Sequence, residues 1–166
     1  MSPTLRAASR TDIPEIMLIL AQGREAQRRQ GFTQWADAYP PRQAVETDIR
    51  LGRGYLFEVS GVVAAYVALA CEDSEYERLS AIWHHQGPYG TIHRLAIADG
   101  FRGRGLAASV LALAEDRLKS LGVSSVRVDT GEENAVMQRV LTRAQYVSRG
   151  LHAFVWGPRI AFEKPL

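Results

Sequence analysis

Leu95-Ala96-Ile97-Ala98-Asp99-Gly100-Phe101-Arg102-Gly103-Arg104-Gly105-Leu106-Ala107 decides how the rest of the chain is read. An apolar strand end runs into a short loop containing Gly100, Gly103 and Gly105, and Leu106 opens an apolar helical repeat. The first turn of a helix carries N–H groups with no intrahelical partner and a partial positive charge. Glycines let such a backbone approach an anion closely, and Arg102 and Arg104 add charge at the same place. In physical terms this is a phosphate cradle. It is not a Walker A loop, because no Gly-Lys-Ser/Thr follows. Nor is it the dinucleotide loop, because Ala108 stands where the third glycine would be. The plain alternative is a glycine-rich turn with solvated arginines; the coincidence of glycines, arginines and a helix start favours the anion seat.

Outward from this stretch, Thr91 to Ala98 reads as a strand and Gly105 to Leu121 as a helix. That helix has Leu106, Val110, Leu113, Ala114, Leu118 and Leu121 on one face and Gly122 as its stop. Val123 to Thr130 is the next strand. A strand, a crossover helix and a strand demand a parallel pair. Upstream, Tyr55–Val59, Ser60-Gly61 and Val62–Cys71 form a hairpin signal. Thr4 to Ala8 is a first strand. Thr11 or Asp12 caps a helix with Pro14 and Glu15 in its first turn and Ile13, Ile16, Met17 and Leu20 at helical spacing. Gly31 lies just past its end. Phe32 to Pro41 is an aromatic loop, Gln43 to Leu51 a helix stopped at Gly52, and Glu72 to Glu77 a solvated acidic loop. Asn134 to Ala144 is a helix with Val136, Val140 and Leu141 on one side. Tyr146–Val155 and Arg159–Lys164 form a closing hairpin. The order β-α-α-β-β-β-α-β-α-β-β predicts an α/β fold: a mixed, mostly antiparallel central sheet with one parallel strand pair and helices on both faces.

Composition excludes several classes. At 166 residues, 46% hydrophobic and 23% charged, the chain is expected to form a single domain over 1–166 with its own core. One cysteine, Cys71, excludes an internal disulfide and any multi-thiolate zinc site. It reads as a buried strand residue in a reduced setting, so a cytoplasmic location is expected. The 20 basic residues, all arginine except Lys119 and Lys164, nearly balance 18 acidic ones, leaving a net charge of +2. That is too little to indicate nucleic-acid binding. No apolar run is long enough to span a membrane, and the N-terminal residues lack a signal-peptide core. His84-His85 is a poor metal site because adjacent side chains diverge, and no metal is expected.

Arg102-Gly103-Arg104-Gly105-Leu106-Ala107 resembles the Arg/Gln-x-x-Gly-x-Gly/Ala signature of the GNAT superfamily of acyl-CoA-dependent N-acetyltransferases. The element order resembles that fold over nearly the whole chain. Gln34-Trp35, Tyr39-Pro40, His93 to Ile97, Arg127 to Thr130, Asn134, Met137-Gln138 and Arg159 to Lys164 resemble a bacterial small-molecule subgroup. The resemblance implies that backbone groups of Leu95, Ala96 and Ile97 pair with the pantetheine arm of acetyl-CoA like an added strand. It implies that amides of Arg102, Gly103, Arg104, Gly105, Leu106 and Ala107 hold the pyrophosphate. The flanking strands would splay to admit the thioester. Asn134 would bond the pantetheine arm, although it is an equally good helix N-cap.

Amine acetylation needs a neutral amine, so a base must take a proton near pH 7. On an unbroken strand Thr91, His93, Leu95 and Ile97 share a face, which puts His93 beside the expected groove as a candidate base. The alternative is a structural histidine within the sheet. Asp129 is a weaker candidate, to bind an acceptor ammonium or orient His93. Leu141 stands where the resembled family often has a tyrosine acid, and Tyr146 is not a substitute for it. Trp35 and Tyr39 either wall an acceptor pocket or hold the loop on the core. The expected activity is transfer of acetyl from acetyl-CoA, the co-substrate, to a primary amine of a small molecule, with a homodimer as a further candidate assembly. A protein or peptide amine as acceptor, or a non-catalytic acyl-CoA-binding module, stands as the alternative.

Overall fold

The computed structural model describes residues 3–32, 35 and 38–166. These cluster into two compact units, Met1–Leu69 with His93–Leu113, and Ala70–Ile92 with Ala114–Leu166.

In the first unit β1 (Thr4–Ala7) pairs antiparallel with β2 (Gly54–Val59), and β2 pairs antiparallel with β3 (Val62–Ala70). Ser60 and Gly61 join β2 to β3 with φ of 53° and 78°. Two consecutive left-handed residues match the right-handed twist of the strands they connect. β4 (Tyr89–Ile97) follows β3 in the sheet, and Ala98 N–H donates to Ala64 O at 2.9 Å just past its end. Helix α1 (Ile13–Arg29) starts at Asp12, whose carboxylate takes both terminal nitrogens of Arg6, at 2.9 and 3.0 Å, and the Ser9 amide at 2.7 Å. Its inward face is Ile13, Ile16, Ile19, Leu20 and Gly23. Helix α2 (Arg42–Arg50) buries Val45 and, against expectation for a polar helix, Asp48. Ile16, Leu20, Val45, Leu56 and Tyr66 close the core of this unit with Trp35. Gly23 admits the Trp35 ring; a Cβ there would lie 3.0 Å from Trp35 Cζ3.

In the second unit Tyr89–Thr91 of β4 runs parallel to β5 (Ser125–Thr130), with Thr91 opposite Arg127 as the last pair. β5 pairs antiparallel with β7 (Gly157–Pro165), and β7 with β6 (Val147–Phe154). The mixed sheet thus has seven strands and one parallel pair, as the sequence predicts. Helix α4 (Leu106–Ser120) is the crossover, and Leu118 on it sits against Gly90, where a Cβ would meet Leu118 Cδ2 at 2.7 Å. Tyr76, Trp83, Tyr89, Phe154 and Ala161 form this unit's aromatic core. Glu163 lies inside with no exposed surface. It accepts the His84 and His85 amides at 2.9 and 3.1 Å and Arg149 Nε at 2.9 Å. Burial pushes its carboxyl pKa up, but these donors outweigh burial and hold it below the ordinary value.

Four local expectations are corrected. The acidic stretch is not a solvated loop: Asp73 caps a short helix α3 (Ser74–Arg78), Tyr76 is fully buried, and Glu75 accepts the Val155 amide at 2.6 Å. Cys71 lies past β3 and is exposed. Leu121 and Val136 are about half exposed, so the apolar faces of their helices are narrower than the periodicity suggests. The fourth concerns Arg94 and is developed below.

Candidate active site

The strand-to-helix stretch keeps its expected form. β4 ends at Ile97, a 3-10 turn spans Asp99–Phe101, Arg102 is extended, and α4 begins at Leu106. Gly103 and Gly105 have φ of 73° and 75°, the left-handed region that favours glycine. A Cβ built at either meets nothing within 4 Å, so the loop's outer surface is open. Gln22 Oε1 takes the Asp99 amide at 2.9 Å, and Arg102 Nε pairs with the Asp99 carboxylate at 2.8 Å. Arg102 Nη2 is buried and has no hydrogen-bond partner among the described residues. The Arg104 guanidinium lies 5.8 Å from the Phe101 ring centroid. The groups gathered here are those of an anion seat: glycine backbone, a helix start and two arginines, with Arg102 Nη2 left without a hydrogen-bond partner among the described residues.

Before the cradle, β4 departs from a regular strand. Arg94 has φ of 55° in mid-strand, a conformation that side-chain-bearing residues rarely take. A pleat alternates only while every residue is extended. The shared face of Thr91 and His93 therefore cannot be carried across Arg94 to Leu95 and Ile97. His93, half-buried, immediately precedes the break, while Ala96 beyond it is packed in the core beside Trp35 and Tyr66.

The aromatic loop divides the two readings of its residues. Trp35 is 8% exposed and belongs to the core, with its amide on Gln27 Oε1 at 3.2 Å. Tyr39 is 41% exposed, edge-on to Trp35 at 6.4 Å and 70°. Its hydroxyl accepts Arg94 Nη1 at 3.5 Å. Gln34 lies outside the described residues.

In the second unit, Asp129 takes the Tyr76 hydroxyl at 2.6 Å on one oxygen and Trp156 Nε1 at 3.2 Å on the other. Arg159 Nε stands 3.7 Å away. Burial, then the Asp129 charge, pushes the Tyr76 hydroxyl pKa well up, so it remains a donor. Both carboxylate oxygens of Asp129 are thus engaged within its own unit. Trp156 stacks on Phe154 at 5.5 Å and 23°. Asn134 caps α5 (Ala135–Arg143), its side chain accepting the Met137 amide at 3.1 Å. Leu141 and Tyr146 are buried; burial, then Glu115, pushes the Tyr146 hydroxyl pKa up.

Sequence reasoning missed Asp48, Tyr66, Tyr76 and Trp156. Nothing local marks Asp48, a polar residue in a polar helix. Trp156 carried a signal as an aromatic in a hairpin turn. Among the described residues no group of three or more His, Cys, Asp or Glu could hold a metal, and no helix is long and apolar enough to cross a membrane.

Residues 20–145 match the profile of the Acetyltransferase (GNAT) family, and the chain belongs to that family. A Bacillus subtilis (strain 168) protein described as an uncharacterized N-acetyltransferase, YesJ, is 27% identical over 146 residues, covering 86% of this chain and 80% of that one. The crystal structure of a GNAT-family acetyltransferase from Streptococcus agalactiae is 31% identical with a TM-score of 0.86, covering 99% of this chain and 95% of that one. One from Listeria monocytogenes is 23% identical with a TM-score of 0.79 over 99% and 95%. At 16% identity, AAC(6')-Ib in complex with ribostamycin and coenzyme A (TM-score 0.77, 99% and 94% covered) shares the fold alone. So does the Escherichia coli ribosomal-protein-S18-alanine N-acetyltransferase (TM-score 0.66, 99% and 94%).

Proposed function

We propose that this acetyltransferase moves the acetyl group of acetyl-CoA directly onto a primary amine of a small molecule. The observation that carries acetyl-CoA as the donor is the pair of left-handed glycines, Gly103 and Gly105, open to solvent between the end of β4 and the first turn of α4. Amides from Arg102 to Ala107 hold the pyrophosphate there, and Arg102 Nη2 supplies a charged donor. Backbone groups of Leu95, Ala96 and Ile97 align the pantetheine arm; the pairing of β4 with β5 ends at Thr91, before them.

The thioester supplies an acetyl group already activated toward an amine. The chain's part is to orient the acceptor and remove its proton. The amine nitrogen forms the new C–N bond as the C–S bond breaks, the sulfur leaves as thiolate, and the nitrogen's surplus proton goes to the His93 ring. A thiolate leaves readily near neutral pH, so no tyrosine acid is required at Leu141. Tyr39, backed edge-on by Trp35, forms an acceptor wall. Asp129 acts by holding Trp156 and Tyr76 in place rather than by touching the acceptor.

An acceptor panel of small amines, aminoglycosides and N-terminal peptides, with thiol release from acetyl-CoA as readout, tests the reading. Turnover with a small amine supports it. Coenzyme A binding without turnover on any arm would make the chain a binding module, and turnover on peptides alone would move the acceptor class.

A further inference from the structure

We propose that Asp48 is a positioning residue for acetyl transfer: it clamps Arg94 and so holds β4 in the conformation that presents Leu95 to Ile97. This rests on the proposed role of that backbone toward acetyl-CoA. Arg94 is left-handed in mid-strand, and a residue held there persists only when its surroundings over-determine it. Its guanidinium is held by two bonds to one carboxylate and by a third, longer one from Nη1 to the Tyr39 hydroxyl at 3.5 Å. Arg94 Nε donates to Asp48 Oδ2 at 2.9 Å and Nη2 makes a short bond to Oδ1, a two-pronged guanidinium–carboxylate pair. Tyr66 Oη donates to the same Oδ2 at 2.7 Å, from inside the core. The Asp48 side chain is 5% exposed and that of Arg94 19%.

A buried carboxylate on an otherwise polar helix is costly unless paired, so its presence calls for a reason. Fold stability alone is a poor one, because an apolar residue at this core-facing position would serve it as well. The pair instead ties α2, β3 and β4 together at the residue whose backbone breaks the pleat of β4. The break sets where the backbone groups of the next three residues lie. Without it, Leu95 and Ile97 would continue the alternation of Thr91 and His93, and their amides and carbonyls would shift by one register.

The test compares Arg94→Gly with Arg94→Ala. Both remove the guanidinium, but only glycine takes the left-handed conformation without strain. Coenzyme A affinity by calorimetry should fall about tenfold or more for Arg94→Ala and by clearly less for Arg94→Gly. Equal losses in the two would show that the side chain matters and the backbone does not, overturning the clamp. Asp48→Asn should weaken coenzyme A binding about tenfold in the native background and add no further loss in the Arg94→Gly background. Additive losses, or a lowered melting temperature with unchanged affinity, would reduce Asp48 to a structural residue. Amide exchange and shifts of Leu95 to Ile97 in ligand-free protein give a readout independent of coenzyme A. They should change in Asp48→Asn and return toward native values when Arg94→Gly is added. If native protein binds no coenzyme A, the functional reading fails, and these amides alone then uphold or overturn the clamp.

Discussion

Replacing Gly105 with alanine isolates the backbone's contribution to the cradle. The added Cβ meets nothing within 4 Å, so no steric term enters. What remains is the cost of placing a side-chain-bearing residue at φ 75°, about 1–2 kcal/mol. Alanine also stiffens the unfolded chain, a stabilising effect of about 0.4–1 kcal/mol. Gly100 supplies the control: it is not left-handed, and a Cβ there also meets nothing. Relative to Gly100→Ala, the unfolded-chain contribution cancels. The strain must then appear in one of two places. If the loop stays left-handed in the free protein, folding stability falls by the whole amount. If the loop relaxes, coenzyme A must restore the conformation on binding and Kd rises by about 5- to 30-fold, at 1.4 kcal/mol per tenfold. The two losses together should sum to about 1–2 kcal/mol, whichever way the loop divides them. Urea denaturation of the free protein and calorimetric titration with coenzyme A measure the two parts. Gly105→Ala matching Gly100→Ala in both would refute the argument that left-handed backbone at this position shapes the site. Gly105→Asp should lose further affinity, because it sets a negative charge against the pyrophosphate.

His93→Ala should lower turnover by about 100-fold with coenzyme A affinity unchanged; a full-speed variant would take His93 out of the mechanism. Tyr39→Ala should raise the acceptor KM with acetyl-CoA affinity within about twofold. Trp35→Ala, in the core, should instead cost about 3–5 kcal/mol of stability and reduce activity uniformly across acceptors. A selective acceptor effect from Trp35→Ala with an unchanged melt would reverse these assignments. Glu163 has a depressed pKa, so its ion pairing stabilises the fold above the ordinary carboxyl value of about 4.3 and is lost as pH falls through the lower folded value. Glu163→Gln should therefore cost about 3 kcal/mol at pH 7, where it leaves buried Arg149 uncompensated, and the gap to native should narrow below about pH 4. A gap that is constant from pH 7 to pH 3 would show that Glu163 is not charged in the fold.

The glycine loop before α4 and the single parallel strand pair were legible in the chain because their causes are local. A left-handed turn demands glycine, and Gly103 and Gly105 are there. A helix start exposes its amides wherever it occurs. A strand, helix and strand in close succession leave a parallel pair as the only connection of ordinary handedness, and β4, α4 and β5 follow it. The hairpin at Ser60-Gly61 is legible for the same reason. Periodicity was less exact where a helix buries a narrow stripe, so Leu121 and Val136 fell outside it.

Residues whose meaning depends on what stands opposite them were not legible. Asp48 and Arg94 are 46 positions apart, and Tyr76 and Asp129 are 53 apart. In sequence, Asp48 is one more polar residue on α2, and Asp129 an unengaged carboxylate suited to an ammonium. Only packing shows that the first is sealed beneath Arg94 and Tyr66, and that the second already holds Tyr76 and Trp156. The left-handed turn of Arg94 belongs to the same class, since arginine has no intrinsic preference for it and an ordinary strand alternation is the default. Chemistry that needs only a backbone and its nearest neighbours is written locally in this chain. A charge's pairing, burial and strain come from segments far apart in the sequence, and they acquire values only once the chain has folded.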